Sequence, residues 1–132
     1  MNYEPILIVG GEPNSIFLEI YFKALKKKTK SPIILIASKK VLILQMKKLK
    51  FSRAIRELSL SKFNDYKLDN KKINLINVNY NTNKSFQKIS IKSNKYIQNC
   101  FKIAFKIIRS GLTKKLINGP IVKKFFLKNK FL

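Results

Sequence analysis

Two short segments of the sequence combine residue types that suit the binding of a phosphorylated ligand. The first runs from Gly10 to Ser15 (Gly-Gly-Glu-Pro-Asn-Ser), after an apolar run and before a helical pattern. Backbone N–H groups at the start of a helix favour anions, so a phosphate group could bind here. The glycine spacing is not that of a dinucleotide-binding fingerprint. An ordinary strand-to-helix turn would have the same composition.

The second segment is Asn118-Gly119-Pro120, with Lys123 three residues further on. It also lies between a short apolar run and a helical pattern. Because ligands collect at the carboxyl ends of the strands in open parallel sheets, we expect the two loops to face one cleft. Lys123 could contact a phosphate there, although in so lysine-rich a chain a solvated side chain is the simpler interpretation.

Few other residues could do chemistry. The chain has no histidine, which removes the commonest general base and the commonest transition-metal ligand. Cys100, the single cysteine, lies on the apolar side of the longest helical pattern, where a buried structural role is expected. The six acidic residues form no recognisable acid–base pair or metal set. The sequence therefore predicts no catalytic residue and no metal ligand of its own.

Alternating strand and helix patterns position the two loops. Continuous apolar runs predict buried strands, and stripes of apolar residues at helical spacing predict helices. The predicted strands cover residues 5–9, 32–37, 73–78 and 115–117, and the predicted helices begin near residues 15, 38, 93 and 121. Between residues 50 and 70 the signal is poor. This order predicts an α/β fold, a largely parallel sheet flanked by helices, in a single domain that spans residues 1–132.

The first three helices are each predicted to bury one apolar stripe. Ser15 and Ser38 are the expected N-caps of the first two, and Gly111 is the expected end of the third. The stripes are Ile16, Phe17, Ile20, Ala24 and Leu25; then Leu42, Met46 and Leu49; then Ile97, Phe101, Ala104, Phe105 and Ile108.

The net charge of +23 comes from 29 basic and only 6 acidic residues. Clustered lysines can bind nucleic acid through its phosphates. Here the lysines are spread along nearly the whole chain, and asparagine, isoleucine and phenylalanine are also abundant, which indicates compositional drift. We therefore expect a solvated lysine-rich surface and no nucleic-acid partner. A small basic α/β module that binds nucleic acid or phosphorylated ligands is the alternative.

The sequence has no recognisable targeting or membrane-spanning segment. Glu4 and Pro5 stand where a signal peptide would have a basic segment and a long apolar stretch. The apolar runs are far too short to cross a bilayer. We expect a cytoplasmic protein with no membrane partner.

Together, the two loops resemble a known family. The segment from Ile8 to Ile16 resembles the opening strand and G-E-P-x-x-I loop of the 4-hydroxythreonine-4-phosphate dehydrogenases of vitamin B6 synthesis. The segment from Leu116 to Lys124 resembles that family's later [IL]-[TN]-G-P-[VI]-x-K segment, and the helix that begins near Ser93 resembles the helix between them. The similarity covers residues 5–25 and 86–132, and the middle of the chain is compatible with it.

The resemblance implies part of a domain with the isocitrate/isopropylmalate-dehydrogenase-like fold. It also implies an NAD-dependent oxidation of a phosphorylated hydroxy amino acid, followed by loss of carbon dioxide, in a homodimer. A divalent metal held by histidines polarises the substrate in such enzymes. Those histidines lie beyond the point where this chain stops, so no catalytic residue is carried over. The matched positions imply a substrate-cleft lining formed by Gly11, Glu12, Pro13, Asn118, Gly119, Pro120 and Lys123.

The sequence departs from the family pattern in both loops. The family has small residues where this chain has Asn14, Ser15, Phe17 and Leu18. Phe17 is bulky enough to change how closely a ligand can approach. Val122 replaces a histidine often found in the second motif. The chain ends on Phe131-Leu132 without a cap or a polar tail. We therefore expect the N-terminal fragment of a longer enzyme, inactive as this isolated chain.

Overall fold

The computed structural model describes residues 4–13, 15–61, 67–80 and 91–119. Within these residues the chain alternates strands and helices in the order β-α-β-α-β-β-α-β. The strands are β1 (Ile6–Val9), β2 (Ile33–Ala37), β3 (Ile55–Glu57), β4 (Ile73–Asn77) and β5 (Lys115–Asn118). The helices are α1 (Phe17–Leu25), α2 (Lys39–Lys48) and α3 (Ile91–Arg109).

The strands form one parallel sheet in the order β3-β4-β2-β1-β5. β1 lies between β2 and β5, so that Ile8 is beside Leu35 on one side and beside Ile117 on the other. The prediction of an α/β fold with a largely parallel sheet flanked by helices is thus confirmed. All carboxyl ends of the strands lie at one edge of the sheet, and all amino ends lie at the opposite edge.

The helices connect the parallel strands. α1 joins β1 to β2, α2 joins β2 to β3, and α3 joins β4 to β5. Right-handed crossovers place α1 and α2 on one face of the sheet and α3 on the other. In agreement with this, α1 packs beside α2, while α3 packs against β1 and β2. No helix in the described parts of the chain is both long enough and apolar enough to cross a bilayer.

The core is centred on β2, whose residues from Ile33 to Ala37 are all buried. A strand covered by helices on both faces has no solvent side, so its sequence is a continuous apolar run. Leu7 and Val9 of β1 and Leu75 of β4 are also fully buried. Each such aliphatic side chain contributes roughly 1.5–3 kcal/mol relative to an exposed one.

The predicted apolar face of α1 is wrong for Ile16, Ile20 and Ala24, whereas Leu25 is buried and Phe17 is partly buried as expected. Ile16 and Ile20 are 61% and 55% exposed, and the helix buries a neighbouring stripe instead. That stripe is Leu18, Tyr21, Phe22 and Leu25. Both stripes have helical spacing, but the buried one contains two aromatic rings and the predicted one contains only that of Phe17. Aromatic rings bury the most area. The ring of Phe22 stacks on Phe51 at a centroid distance of 4.5 Å, and this contact sets the rotation of the helix.

The predictions for α2 are confirmed, and those for α3 are confirmed in part. Ser38 caps α2, because its Oγ accepts a hydrogen bond from the N–H of Val41 at 3.2 Å. In α3, Ile97 and Ala104 are buried as expected, but Phe105 is 47% exposed. After α3, Gly111 adopts a φ of 88°, the left-handed conformation expected of a glycine that ends a helix.

Sequence patterns missed β3, which pairs with β4 at the edge of the sheet. It is only three residues long and none of them is fully buried, so the sequence has no apolar run at this position. The strand predicted at residues 115–117 is present as β5. The helix predicted from residue 121 lies outside the described residues.

Asn70 ties together the loops at the amino edge of the sheet. Its Oδ1 accepts a hydrogen bond from the N–H of Ile33 at 2.8 Å. Its Nδ2 donates to Oγ1 of Thr29 at 2.8 Å and to the carbonyl of Ser31 at 2.9 Å. The guanidinium of Arg53 donates to the carbonyl of Asn70 at 2.9 Å and to that of Leu25 at 3.3 Å. These bonds hold the segments around residues 25–31, 53 and 70 in one arrangement.

The substitution Asn70→Ala removes three side-chain hydrogen bonds, including the partner of the Ile33 N–H at the start of the central strand. We expect the free energy of unfolding to fall by about 1–3 kcal/mol. Asn70→Asp keeps the acceptor for Ile33 but replaces the two donors with a carboxylate oxygen that faces the carbonyl of Ser31, so it should also be less stable than wild type. Urea denaturation should show both variants to be less stable than wild type. Equal stability of wild type and Asn70→Ala would contradict the role given to this side chain.

Candidate functional site

The two loops singled out from the sequence lie side by side at the carboxyl edge of the sheet. β1 and β5 are neighbours in parallel register, with Val9 beside Asn118. Just beyond the strands, the N–H of Gly119 donates to the carbonyl of Val9 at 2.7 Å. On the other side of β1, the N–H of Gly10 donates to the carbonyl of Ile36 at 3.1 Å. The loop after β1 is thus fixed between β2 and β5.

Gly119 approaches the first loop too closely for any side chain. A Cβ atom at this position would lie 2.5 Å from the carbonyl oxygen of Gly10 and 2.9 Å from its carbon. It would also lie 2.9 Å from Cδ2 of Phe17. Its φ is outside the left-handed region, so space and not backbone conformation requires glycine here. The Phe17 ring therefore lies at the junction of the two loops.

Local hydrogen bonds shape the first loop. Gly11 has a φ of 73°, a conformation that glycine adopts without strain. The N–H of Ser15 donates to the carbonyl of Glu12 at 3.1 Å and closes a turn. Oγ of Ser15 accepts from the N–H of Phe17 at 3.3 Å. Ser15 thus bonds to the start of α1, although Ile16 and not Ser15 is the N-cap residue, which corrects the prediction.

A buried glutamine of α2 supports the same loop. The side chain of Gln45 is 1% exposed, and its Nε2 donates to the carbonyl of Pro13 at 3.2 Å. Sequence analysis missed this residue because it considered only the apolar members of the α2 stripe. The available signal was a polar residue at a stripe position, since Val41, Leu42 and Gln45 are all buried on one side of α2.

The proposed cleft-lining residues differ in their accessibility. Gly11, Pro13 and Gly119 are buried, and Glu12 is 4% exposed. Asn118 is exposed, and its Nδ2 donates to the carbonyl of Gly119 at 3.0 Å. Pro120 and Lys123 lie outside the described residues. Among the cleft-lining residues that the structure describes, the buried ones form the backbone framework of the carboxyl edge. A ligand could reach the side chain of Asn118.

A second polar cluster lies at the end of β2. The hydroxyl of Tyr96 in α3 accepts a hydrogen bond from the N–H of Ser38 at 2.7 Å and also bonds to the thiol of Cys100. The Tyr96 ring packs against Tyr80 at a centroid distance of 5.0 Å. Burial raises the pKa of Tyr96 well above its usual value, and burial raises the pKa of Cys100 to about 12. Both groups are therefore protonated and neutral at pH 7, as expected of structural side chains.

Sequence analysis also missed the role of Tyr96. Its signal was a hydroxyl-bearing residue next to Ile97 and one turn before Cys100, on the buried side of α3. The expectation that Cys100 is buried and structural is confirmed. The tyrosine hydroxyl and the cysteine join α3 to the start of α2. They therefore have a structural role, which is to hold these two helices together at the carboxyl edge.

The described residues do not supply a metal site. They contain no group of three or more His, Cys, Asp or Glu side chains that could hold an ion. The whole chain lacks histidine. A histidine-bound divalent metal, as the family resemblance implies, does not fit this part of the chain, and its ligands would have to come from elsewhere.

The architecture and the edge define a class: a parallel α/β layer whose loops meet at the carboxyl ends of the strands. No protein-family model matches the chain, and no curated protein matches its sequence. Solved structures of 4-hydroxythreonine-4-phosphate dehydrogenases do match its fold. The enzyme from Burkholderia phymatum aligns with a TM-score of 0.80 over 98% of this chain at 16% identity. The enzyme from Klebsiella pneumoniae aligns with a TM-score of 0.72 over 95% of the chain, also at 16% identity.

The chain spans about 40% of the length of each of these dehydrogenases. The resemblance inferred from the two loops is therefore confirmed as a likeness of fold to a portion of that family. At such low identity the likeness is one of architecture. It does not identify binding or reacting residues, which must be inferred from the geometry of the carboxyl edge.

The substitution Gly119→Ala tests the contact between the two loops. Because the added methyl group would meet backbone atoms of Gly10, we expect a loss of about 2 kcal/mol or more in the free energy of unfolding. Gly111→Ala is the matched control. Its Cβ meets nothing within 4 Å, and only its φ of 88° opposes it, at a cost of about 1 kcal/mol. If Gly119→Ala proves no more destabilising than Gly111→Ala in urea denaturation, the loops are not in contact.

The buried thiol of Cys100 predicts a loss of stability in alkali. Below about pH 9 the thiol is protonated in both the folded and the unfolded chain, so it adds no pH dependence. Between about pH 9 and 12 only the unfolded chain loses the proton, so stability falls by up to about 1.4 kcal/mol per pH unit.

Lysines and tyrosines also titrate in this range, so the informative quantity is the difference in unfolding free energy between wild type and Cys100→Ala. We expect this difference to shrink as the pH rises from 9 to 11. A difference that stays constant would show that the thiol ionises as freely in the folded chain as in the unfolded one.

Proposed function

We propose that this chain is the N-terminal portion of an NAD- and metal-dependent 4-hydroxythreonine-4-phosphate dehydrogenase. The complete enzyme would oxidise a phosphorylated hydroxy amino acid, with loss of carbon dioxide, in vitamin B6 biosynthesis. It would act as a cytoplasmic homodimer. The chain itself would supply much of one α/β domain and one wall of the substrate cleft, and it would be inactive alone.

The observation that carries this proposal is the contact between Gly119 and Gly10. The two motifs behind the family resemblance are far apart in the sequence, and they meet at the carboxyl edge of the sheet. Ligands bind at this edge in open parallel sheets. The fold likeness to solved dehydrogenases, over nearly the whole of this chain, supports the same conclusion independently.

Within the proposed enzyme, the residues of this chain position the substrate. Gly11, Glu12 and Pro13 form the buried frame of the wall, held from behind by Gln45. Gly119 lets the second loop approach this frame, and the amide of Asn118 lies at the accessible surface. Pro120 and Lys123, which match the family motif in sequence, would belong to the same wall, and Lys123 would contact the substrate phosphate.

The proton and hydride chemistry is assigned to residues outside this chain. The described carboxylates form no metal-binding group, and the chain has no histidine. NAD would accept the hydride when bound to the complete enzyme. No reaction step is assigned to a side chain of this portion.

The reading frame beyond Leu132 and the intact mass of the native protein test the proposal first. We expect a longer product that reduces NAD when given 4-phosphohydroxythreonine, whereas residues 1–132 alone give no turnover. A native protein that ends at Leu132 would overturn the proposal. So would a longer protein without this activity.

In the complete enzyme, Asn118→Ala should raise KM for the phosphorylated substrate by roughly three- to tenfold, the effect of about one hydrogen bond. The matched control is Asn79→Ala, an exposed asparagine just beyond β4, which is separated from β1 by β2. Steady-state kinetics should show an unchanged KM for this control. If the two substitutions changed KM equally, Asn118 would not be part of the substrate cleft.

A further inference from the structure

Six lysines from three separate segments of the sequence lie at one edge of the described structure. In a parallel α/β fold every helix returns to the amino edge of the sheet, so the loops that leave the helices and enter the strands all lie there. Lysines are concentrated in these loops. We term the following exposed set the amino-edge basic surface: Lys26, Lys27 and Lys28 after α1, Lys50 after α2, and Lys71 and Lys72 before β4.

The segments that carry these lysines are bonded to one another. Asn70, next to Lys71, donates to Thr29 and Ser31 just after the Lys26–Lys28 run. Arg53, which follows Lys50, donates to the carbonyls of Leu25 and Asn70. The three lysine groups are thus neighbours in space, although they are far apart in the sequence. Hydrogen bonds hold together the backbone segments that carry the three lysine groups.

Little negative charge opposes this surface among the described residues. Asp69 is the nearest carboxylate, and its Oδ1 accepts a hydrogen bond from the backbone N–H of Lys71 at 2.9 Å. The Lys23–Glu19 and Lys39–Glu57 ion pairs lie outside the surface. Helix dipoles favour the lysines that directly follow α1 and α2, but Lys71 and Lys72 precede a strand and gain nothing from a dipole. Mutual repulsion of these charges is relieved when a polyanion binds.

The side chains near these lysines indicate which type of polyanion would bind. None of the exposed large apolar side chains of the described residues belongs to the lysine-bearing segments, and insertion into a membrane would require such side chains. Phe51, the nearby aromatic residue, stacks on Phe22 and is covered by Arg53 at 5.6 Å, so it is not available to stack on a base. Lysines act as point charges that contact phosphates without reading sequence.

We propose that the amino-edge basic surface binds the phosphate backbone of a nucleic-acid duplex without sequence preference. This site is at the opposite edge of the sheet from the two loops of the proposed dehydrogenase cleft. The two proposals are therefore independent, and either can fail without the other. The spread of lysines along the sequence argued against a nucleic-acid partner, but the fold brings six of them from three separate segments to one edge.

The experiment compares two triple variants with the same loss of charge. The test variant is Lys27→Gln, Lys28→Gln and Lys72→Gln, which removes half of the amino-edge basic surface. The control variant is Lys40→Gln, Lys95→Gln and Lys102→Gln, three exposed lysines of α2 and α3 outside that surface. Each variant lowers the net charge from +23 by three units. Exposed lysine-to-glutamine changes should leave thermal unfolding nearly unchanged, which circular dichroism will check.

Binding of the 132-residue chain to a labelled DNA duplex of mixed sequence is measured by fluorescence anisotropy at several salt concentrations. We expect the test variant to bind at least about tenfold more weakly at about 0.1 M salt. Its plot of log affinity against log salt should be shallower by about 0.9 for each phosphate that the variant no longer neutralises. The control variant should stay close to wild type.

Three outcomes would overturn the proposal. An equal loss of affinity in both variants would show only the generic attraction of a highly charged chain. Tighter binding to a single strand than to the duplex, or to vesicles of anionic lipid than to either nucleic acid, would identify a different partner. A strong preference for one duplex sequence over another would contradict recognition by backbone phosphates alone.

Discussion

The parallel direction of all five strands is the constraint on which the rest of this structure depends. Because neighbouring strands run the same way, each connection must cross the sheet from its carboxyl edge back to its amino edge. The ends of the strands are thereby sorted onto two opposite edges. The glycine-containing loops after β1 and β5 meet at the carboxyl edge, and the lysine-bearing loops after α1 and α2 and before β4 meet at the amino edge. Two surfaces of different chemistry therefore follow from one topological rule.

The loops at the carboxyl edge are tightly packed. Gly119 leaves no room for a Cβ atom beside Gly10, and Gly10 itself lies against Ala37, with 3.2 Å between an added Cβ and the alanine Cβ. The loop after β1 is held from the other direction by Gln45. A site assembled from packed backbone of this kind is rigid before any ligand arrives, which favours binding by reducing the entropy lost on association.

The amino edge is held in a different way. Its loops are joined by side-chain amide and guanidinium groups, through Asn70 and Arg53, and its lysine side chains extend into solvent. Fixed backbone and flexible charged side chains suit the contact of phosphates that recur along a polymer. At the carboxyl edge, the junction of the two glycine loops instead combines buried backbone with the exposed residue Asn118, which suits a small ligand of defined shape.

Sequence patterns predicted the sheet well because its central strands are buried on both faces. The apolar runs that became β1, β2 and β4 have no other simple explanation, and the short run at 115–117 became β5. The sequence patterns failed where a helix has two apolar stripes and where a strand has no apolar run. α1 carries two helical stripes, and the stacking of Phe22 on Phe51 decides between them. β3 is too short and too exposed to show a pattern.

The candidate site was predictable in its position but not in its construction. The two glycine loops could be assigned to strand ends from the sequence, and the parallel sheet then required them to share an edge. Their direct contact depends on β1 and β5 being neighbours, which no local pattern specifies. The supporting roles of Gln45 and Tyr96 depend on which carbonyl or amide lies opposite each side chain. The clustering of lysines likewise depends on the return of each helix to one edge.

The hydrogen exchange of the Gly119 amide tests the central claim most directly. This N–H donates to the carbonyl of Val9 at 2.7 Å, and through that bond the second loop joins the first. Exchange followed by NMR should show the Gly119 amide protected to a degree comparable with the amides of β1, because it opens only when the sheet opens. Exchange at the rate of an unstructured peptide would contradict the account, since the two loops would then not form a common edge.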